Sequence, residues 1–263
     1  MYLKNKTVWI TGASSGIGRA LTIELSKDNN LILSSRNKIA LEKVKNECEN
    51  PQNIRILPLD LENYSNFNNL TKQAILFFGN IDILINNGGI SQRSLAKETN
   101  IKVDKKIMEV NYFGTVALTK AILPHFLENK NGHIIVITSV VGRIGTPLRS
   151  SYAASKHALH GFFDSLRAEV FKENIKVTLI CPGFVQTNVS INALTGDGSK
   201  QNTMDKATAN GLKPEYVAKK IRLAIEKNKE EVIIGGLKEK FSVLLKRFFP
   251  TLLSKLVRKI PVT

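Results

Sequence analysis

Two groups of residues in this chain could hold an anionic ligand and move a proton. The first is the run GASSGIG at residues 12–18, which follows a short apolar stretch and precedes a helical pattern. Glycines in a strand-to-helix turn let backbone N–H groups approach a pyrophosphate at the positive end of the helix dipole. The spacing is G-x-x-x-G-x-G rather than G-x-G-x-x-G. Glycines needed only for a tight turn are therefore the alternative.

The second group is a tyrosine, a lysine and a serine. Tyr152 and Lys156 are four residues apart, so on a helix they share one face. A phenol has a reference pKa of about 10, and an ammonium beside it stabilises the phenolate and lowers that pKa. Ser139, at the end of a predicted strand, could orient a carbonyl. The Tyr/Lys spacing occurs by chance on many helix faces and gains weight only from the other two features.

Residues at the ends of three further predicted strands complete a nucleotide site. Ser35 stands where an acid would hold the ribose 2′-hydroxyl of NAD, and Arg36 follows it. A guanidinium with hydroxyl neighbours suits a 2′-phosphate, and a surface arginine is the alternative. Asp60 could accept a hydrogen bond from adenine or could cap the next helix. The small residues of Asn87-Gly88-Gly89 leave room for a ligand.

The elements that position these residues alternate along the chain. Apolar runs rich in Ile, Val and Leu suit strands buried on both faces, and they lie at 7–11, 31–35, 54–59, 81–86, 133–139, 177–181 and 231–235. Helical patterns separate them, the longest at 103–129 and 151–172. This alternation predicts one α/β domain with a parallel sheet of about seven strands and helices on both faces. A polar segment at 187–211 predicts a functional or mobile loop.

In this order and at these separations, the residues resemble the short-chain dehydrogenase/reductase family over nearly the whole chain. The resemblance implies a doubly wound Rossmann-type catalytic domain over 1–236 and hydride transfer between a nicotinamide and an alcohol or carbonyl. By resemblance Tyr152 is the acid/base, Ser139 positions the substrate oxygen, Lys156 binds the nicotinamide ribose and tunes Tyr152, and Asn111 anchors a proton-relay water. The implied cofactor contacts are Gly12, Ser14, Ser15, Gly16, Ile17, Gly18, Ser35, Arg36, Asp60, Leu61, Asn87, Gly88, Gly89, Tyr152, Lys156, Pro182, Gly183, Val185 and Thr187.

One position departs from the family pattern, and a finer resemblance bears on the substrate. Gly88 replaces the family's usual alanine, from which we expect weaker cofactor ordering. Residues 139–145 and 149–152 look like the branch related to hydroxysteroid dehydrogenases, many of whose members associate with membranes and favour NADP(H). We therefore expect NADP(H) over NAD(H) and a lipid-like or steroid-like carbonyl. A catalytically silent NADP(H)-binding scaffold at a membrane is the alternative, which the complete catalytic set disfavours.

The amino-acid composition limits the class of protein, the metal sites and the cellular location that can be expected. The 263 residues are 43% hydrophobic and 23% charged, which excludes a disordered or collagen-like chain. The two cysteines, Cys48 and Cys181, form no disulfide framework, and with the four histidines they show no metal-ligand spacing, so we expect no metal. Without an apolar run of about 18 residues or a signal-peptide core, we expect a cytoplasmic protein, with the inner membrane surface as an alternative location.

Of the net charge of +16, residues 238–263 carry +6 and the rest of the chain carries +10, so the chain has one basic tail, within 237–263, on a mildly basic body. Charge of this kind suits nucleic acid, an anionic membrane or an anionic ligand, or is only a lysine-rich surface. Apolar residues at three- and four-residue steps predict an amphipathic helix, with Pro250 kinking it or starting a second one. Binding to an anionic membrane and packing on the body or on a second subunit are both open, and we expect no nucleic acid. A homo-oligomer, dimer or tetramer, is also expected. The apolar positions are Phe241, Leu244, Leu245, Phe248, Phe249, Leu252, Leu253, Leu256 and Ile260.

Overall fold

The computed structural model describes residues 3–258 and contains one seven-stranded parallel sheet. The strands are β1 Thr7–Thr11, β2 Asn30–Ser34, β3 Ile54–Ile56, β4 Ile83–Asn86, β5 Gly132–Ile137, β6 Ile175–Pro182 and β7 Glu231–Ile234. The strand order is β3-β2-β1-β4-β5-β6-β7, so the order reverses between β1 and β4. This confirms the predicted doubly wound α/β fold.

Helices cover both faces of the sheet because alternate strand residues point to opposite sides. The helices are α1 Gly16–Leu25, α2 Lys38–Asn46, α3 Phe67–Phe78, α4 Ile101–Met108, α5 Gly114–Asn129, α6 Ser150–Glu169, α7 Lys206–Ala209, α8 Pro214–Glu226, α9 Leu237–Phe248 and α10 Pro250–Val257. Val8 and Ile10 of β1 pack with α1 and α8, whereas Trp9 between them packs with α3, α5 and α6.

Two predicted segments differ from the structure in detail. The helical pattern at 103–129 forms α4 and α5, joined without a break by a π-helical turn at Glu109–Phe113. The polar segment at 187–211 is irregular, as predicted, but it contains the short helix α7 and is tied to the body at Gln92, whose partner in an isolated bridge is Leu194. It is therefore an anchored loop over the carboxyl ends of the strands.

The tail forms two helices that fold back onto the body. Pro250 is at the first position of α10, so of the two alternatives the second helix is correct. Leu245 and Leu253 are buried against Val140 and Ile144, in the loop that follows β5. Lys259 and Ile260, which belong to the predicted tail pattern, lie outside the described residues. Among the helices described, none combines the length and the apolar character needed to cross a membrane.

A buried histidine in β5 gives the fold a predictable sensitivity to acid. His133 Nε2 lies 2.8 Å from Thr178 Oγ1, and that hydroxyl donates to Lys229 O at 2.5 Å. The histidine is therefore the donor, and its Nδ1 is buried with no hydrogen-bond partner among residues 3–258. Burial, followed by the charge of Lys176, lowers the pKa of His133 from 6.5 to about 4.

We expect the protonation of His133 to lower the free energy of unfolding by about 3 kcal/mol as the pH falls from 7 to 4. Its folded pKa is depressed, so the unfolded chain binds more protons in this window and stability is lost as the pH falls. Urea unfolding across this range measures the effect as the difference between wild type and His133→Gln. His157→Gln, at an exposed helix position, is the control and should reproduce the wild-type profile. Parallel profiles for wild type and His133→Gln would contradict the prediction.

Candidate active site

The glycine-rich turn between β1 and α1 has the backbone geometry of an anion cradle. Gly12 and Gly16 adopt left-handed conformations, with φ of +63° and +53°. A Cβ at Gly18 would lie 2.1 Å from Gly12 O, so only glycine permits this packing. The turn thus places the first N–H groups of α1 at the end of a central strand. The predicted residues Ser14, Ser15 and Ile17 lie in this turn, and the cradle fits the pyrophosphate of a dinucleotide.

The loop after β4 is bound directly to this turn. Asn87 Nδ2 donates to Thr11 O at 3.0 Å and to Gly12 O at 3.2 Å, while Thr11 Oγ1 accepts from the backbone N–H groups of Asn87 and Gly88 at 3.0 Å each. The two strands meet where the strand order reverses, which is the ligand-binding position of open α/β sheets. A Cβ at Gly88 would lie 2.6 Å from Leu61 Cδ1, so the leucine occupies the space of the missing methyl.

The residues predicted to contact the ribose and adenine lie at the same edge of the sheet. Ser35 and Arg36 follow β2 directly, and the Arg36 side chain is exposed. Asp60 Oδ1 accepts from Glu62 N at 3.1 Å. The alternative that Asp60 caps the next helix is wrong, because α3 begins only at Phe67, with Asn66 as its N-cap.

The catalytic candidates converge where β5 and α6 meet. Helix α6 places Tyr152 and Lys156 one turn apart, with Lys156 Nζ 5.8 Å from the centre of the Tyr152 ring. Lys156 Nζ donates to Ile137 O at 2.9 Å, which fixes the ammonium at the carboxyl end of β5. Ser139 hydrogen-bonds the Tyr152 side chain, and its Oγ lies 3.3 Å from Pro182 O.

The electrostatics of Tyr152 differ from the sequence-based expectation. Burial raises the pKa of Tyr152, and the hydrogen bond from Ser139 and the charges of Arg93 and Arg149 oppose the rise only in part. The net lowering expected from Lys156 is not observed, because desolvation of Tyr152 outweighs it. The lysine is itself buried and its pKa falls from 10.5 to about 8, so it is mostly protonated at pH 7, and the charges of Arg93 and Arg149 act in the same direction on the phenol.

Asn111 holds the loop after β4 beside the lysine. It is fully buried in the π-helical turn, and its side chain accepts from Ile90 N at 2.8 Å and donates to Ile90 O at 2.9 Å and to Ser155 Oγ at 3.0 Å. A Cβ at Gly89 would lie 3.0 Å from Asn111 Oδ1 and 3.6 Å from Lys156 Nζ. The implied water-anchoring role of Asn111 stays a prediction, and its observed role is to position Gly89 and Ile90.

The segment after β6 closes the other side of the site. Gly183 N donates to Ile234 O at 2.9 Å, and Val185 is buried in the core. Thr187 reaches the glycine-rich turn, where a Cβ at Gly16 would lie 2.9 Å from its methyl. A cleft of about 440 Å³ opens here, lined by Gly16, Arg19, Gln186, Thr187, Asn188, Lys213, Pro214 and Glu215.

A buried charge cluster beside Tyr152 contains none of the site residues predicted from the sequence. Asp205 accepts from Arg93 Nε at 2.7 Å and Nη2 at 2.6 Å, and from Arg149 Nη2 at 3.4 Å. All three side chains are at most 6% exposed. Arg149 also lies over the Phe184 ring, 5.5 Å from its centre. The only sequence signal was the position of Arg149, three residues before the tyrosine.

A buried glutamine links this cluster to the catalytic helix. Gln92 Oε1 accepts from Ser151 N at 2.9 Å and from Tyr152 N at 3.4 Å, so it satisfies free N–H groups at the start of α6. The adjacent Arg93 is held by Asp205 from the loop at 187–211. The loop, the turn after β4 and the catalytic helix thus form one connected unit.

Known proteins share this sequence and architecture. A family model described as short chain dehydrogenase matches residues 6–197. The chain is similar to "Dehydrogenase/reductase SDR family member 7B" of Xenopus laevis, with 41% identity over 262 residues, 95% of this chain and 80% of the relative. It is 43% identical over 265 residues to "Dehydrogenase/reductase SDR family protein 7-like" of Anopheles gambiae, which covers 98% of this chain and 84% of that relative.

Solved structures show the same fold. A short chain dehydrogenase/reductase from Burkholderia phymatum in complex with NAD superposes with a TM-score of 0.84 at 21% identity, covering 96% of each chain. A short chain dehydrogenase from Burkholderia cenocepacia J2315 in complex with NADP superposes with a TM-score of 0.81 at 22% identity, covering 97% of this chain and 99% of the other. The two neighbours contain different nicotinamide nucleotides.

Proposed function

Because this chain belongs to the short-chain dehydrogenase/reductase family and is an oxidoreductase for CH–OH or C=O groups, we propose that it reduces or forms a lipid-like or steroid-like carbonyl with NADP(H). The observation that carries the proposal is the convergence of Ser139, Tyr152 and Lys156 beside the cradle formed by the turn at 12–18. A bound nicotinamide would supply or accept the hydride. The test is a screen of steroid, retinoid, fatty-acyl and sugar carbonyls for NADPH oxidation.

The side chains divide the proton chemistry among them. In the direction of reduction, the Tyr152 phenol donates its proton to the carbonyl oxygen, where negative charge develops. The Ser139 hydroxyl donates a hydrogen bond to the same oxygen and orients it. The ammonium of Lys156, held at Ile137 O, stabilises the tyrosinate that is left. Arg93 and Arg149 act in the same direction through their charge.

Arg36 supports the choice of NADP(H). It is an exposed cation directly after β2, next to the Ser35 hydroxyl, where a 2′-phosphate on the adenosine ribose would be placed by a nucleotide in the cradle. The sequence has no carboxylate at residues 34–37 to hold a 2′-hydroxyl. The substrate class rests on the branch-level resemblance and is decided by the screen.

We expect wild-type protein to bind NADPH about 10- to 100-fold more tightly than NADH. A charged hydrogen bond of this kind contributes about 1.5–3 kcal/mol. Arg36→Ala should lose that difference while NADH affinity stays the same, as measured by fluorescence titration of both nucleotides. Lys43→Ala removes an exposed cation from α2, further from the strand end, and is the control. Equal affinities in the wild type, or tighter NADH binding, would refute the NADP(H) preference.

A further inference from the structure

We propose that the C-terminal helices α9 and α10 dock this protein on an anionic lipid bilayer through an exposed apolar surface. We call this surface the outer face, and define it as Phe241, Leu244, Phe248, Phe249, Leu252 and Leu256. The proposal concerns where the protein binds. It holds or fails independently of the reaction that Tyr152 performs.

One side of the tail is already occupied by the body. Leu245 and Leu253 are 6% and 5% exposed and form a small apolar cluster with Val140 and Ile144, with Ile233 packed against it. At the start of α9, Glu239 lies over the turn at 235–236 and beside Gly183, where an added Cβ would lie 3.1 Å from Glu239 Cγ. The tail is therefore attached by a defined set of contacts, and packing on the body is one of its roles.

The outer face is what this packing leaves uncovered. Its six side chains are between 41% and 66% exposed, and Leu237 beside them is 87% exposed. On α9, Phe241, Leu244 and Phe248 lie within about 60° of one another around the helix axis. Leu252 and Leu256 form the same kind of stripe on α10. Six large apolar side chains, each exposed by 41% or more on two successive helices, indicate a binding partner.

Charge identifies that partner as an anionic bilayer. Six basic residues lie on the described tail, against the single acid Glu239. A second copy of the chain would bring the same positive charge to the interface, and a nucleic acid would leave the phenylalanines and leucines uncovered. A bilayer with anionic headgroups satisfies both properties, because basic side chains meet the headgroups while apolar ones enter the acyl boundary. The basic residues are Lys238, Lys240, Lys246, Arg247, Lys255 and Arg258.

Docking in this way brings the membrane close to the loop that follows β5 and begins near Ser139. The tail and the turn at 145–147 enclose a cleft of about 310 Å³, lined on the tail side by Lys246, Leu253 and Val257 among others. The same turn continues the segment that begins at Ser139. A bilayer on the outer face would therefore lie about one helix diameter, roughly 10 Å, from this segment.

Co-sedimentation of the full-length protein with vesicles tests the proposal. We expect binding to vesicles of phosphatidylcholine with phosphatidylglycerol at low salt, much weaker binding to phosphatidylcholine alone, and loss of the difference at about 1 M salt, where the Debye length falls to about 3 Å. Lys240→Gln/Arg247→Gln, at exposed positions that flank the outer face, should lower the partition coefficient about 25-fold, since each basic residue near the surface contributes about fivefold. Phe248→Glu/Phe249→Glu should lower it at least as much.

Matched variants separate the outer face from general effects of charge and exposed apolar residues. Phe171→Glu changes an aromatic residue that is 78% exposed elsewhere, and Lys227→Gln/Lys229→Gln removes two exposed cations outside the tail. Both should bind vesicles like the wild type. Equal binding to neutral and anionic vesicles, or wild-type binding by Phe248→Glu/Phe249→Glu, would overturn the proposal. The proposal would also be overturned if the wild-type protein does not bind vesicles and is instead a dimer that Phe248→Glu/Phe249→Glu dissociates. Turnover of a water-soluble carbonyl, measured in parallel, tests the proposed function separately.

Discussion

Tyr152→Phe is expected to lower the turnover of a carbonyl substrate by about 10²–10⁴-fold while leaving NADPH affinity nearly unchanged. The substitution keeps the ring that faces Lys156 and removes only the hydroxyl that hydrogen-bonds Ser139. That hydroxyl is the proposed proton donor, so the loss should appear in kcat. Steady-state kinetics on a substrate found in the screen, together with nucleotide titration, measures both quantities.

The control is Tyr216→Phe, at a partly exposed position of α8, which should retain full activity. A Tyr152→Phe enzyme with more than a tenth of wild-type kcat would mean that another residue is the acid. Wild-type protein that binds NADPH but turns over no carbonyl in the broad screen would favour the silent scaffold instead.

Asp205→Asn is expected to lower the free energy of unfolding by about 3–5 kcal/mol. Removing one partner of a buried ion pair leaves the other charge uncompensated, and Asp205 faces two guanidiniums whose side chains are 6% and 4% exposed. Asparagine keeps the volume, so the loss reports charge rather than a cavity. Because Asp205 also ties the loop at 187–211 to Arg93, proteolysis within that loop should accelerate. Urea denaturation measures the change in stability.

A second substitution distinguishes charge imbalance from general damage. Adding Arg93→Met to Asp205→Asn should recover about 1–3 kcal/mol, because the guanidinium with the shortest contact to Asp205 is no longer buried opposite a neutral side chain. Glu49→Gln breaks the exposed pair with Lys27 and should cost less than about 1 kcal/mol. A loss below about 1 kcal/mol for Asp205→Asn, or a double variant less stable than the single one, would contradict this account of the cluster.

The architecture could be predicted from the sequence because it depends on local pattern. Strands buried on both faces must be apolar throughout, and helices between them must carry an apolar stripe. The alternation of strands and helices can therefore be recognised from the sequence before the fold is known. The spacing of Tyr152 and Lys156 predicted that they share one helix face, since four residues make about one helical turn, whereas their roles and that of Ser139 came from the family resemblance. Pro250 likewise indicated a helix boundary, although its two alternatives needed the structure to separate them.

Contacts between residues far apart in the chain could not be predicted in this way. Asp205 pairs with Arg93, more than a hundred residues away in the chain, and no spacing in the sequence indicates that the two side chains are in contact. His160, Cys181 and Glu231 likewise lie close together, with Glu231 paired to Arg143, although the spacing of the cysteines and histidines in the sequence gave no sign of such a group. The boundary of the Asp60 turn also depended on where α3 actually begins.

The sequence by itself determined which residues of this protein can do chemistry and the sheet that carries them, because side-chain type and helical or strand period are local properties. The tertiary structure decided the electrostatics of those residues. Burial of Tyr152 and Lys156, and the arrival of Arg93 and Arg149 from separate segments, set the directions of their pKa values. It also decided which side of the tail is covered, because that depends on where the loop after β5 lies in space. Desolvation and charge–charge distance exist only once the chain has folded.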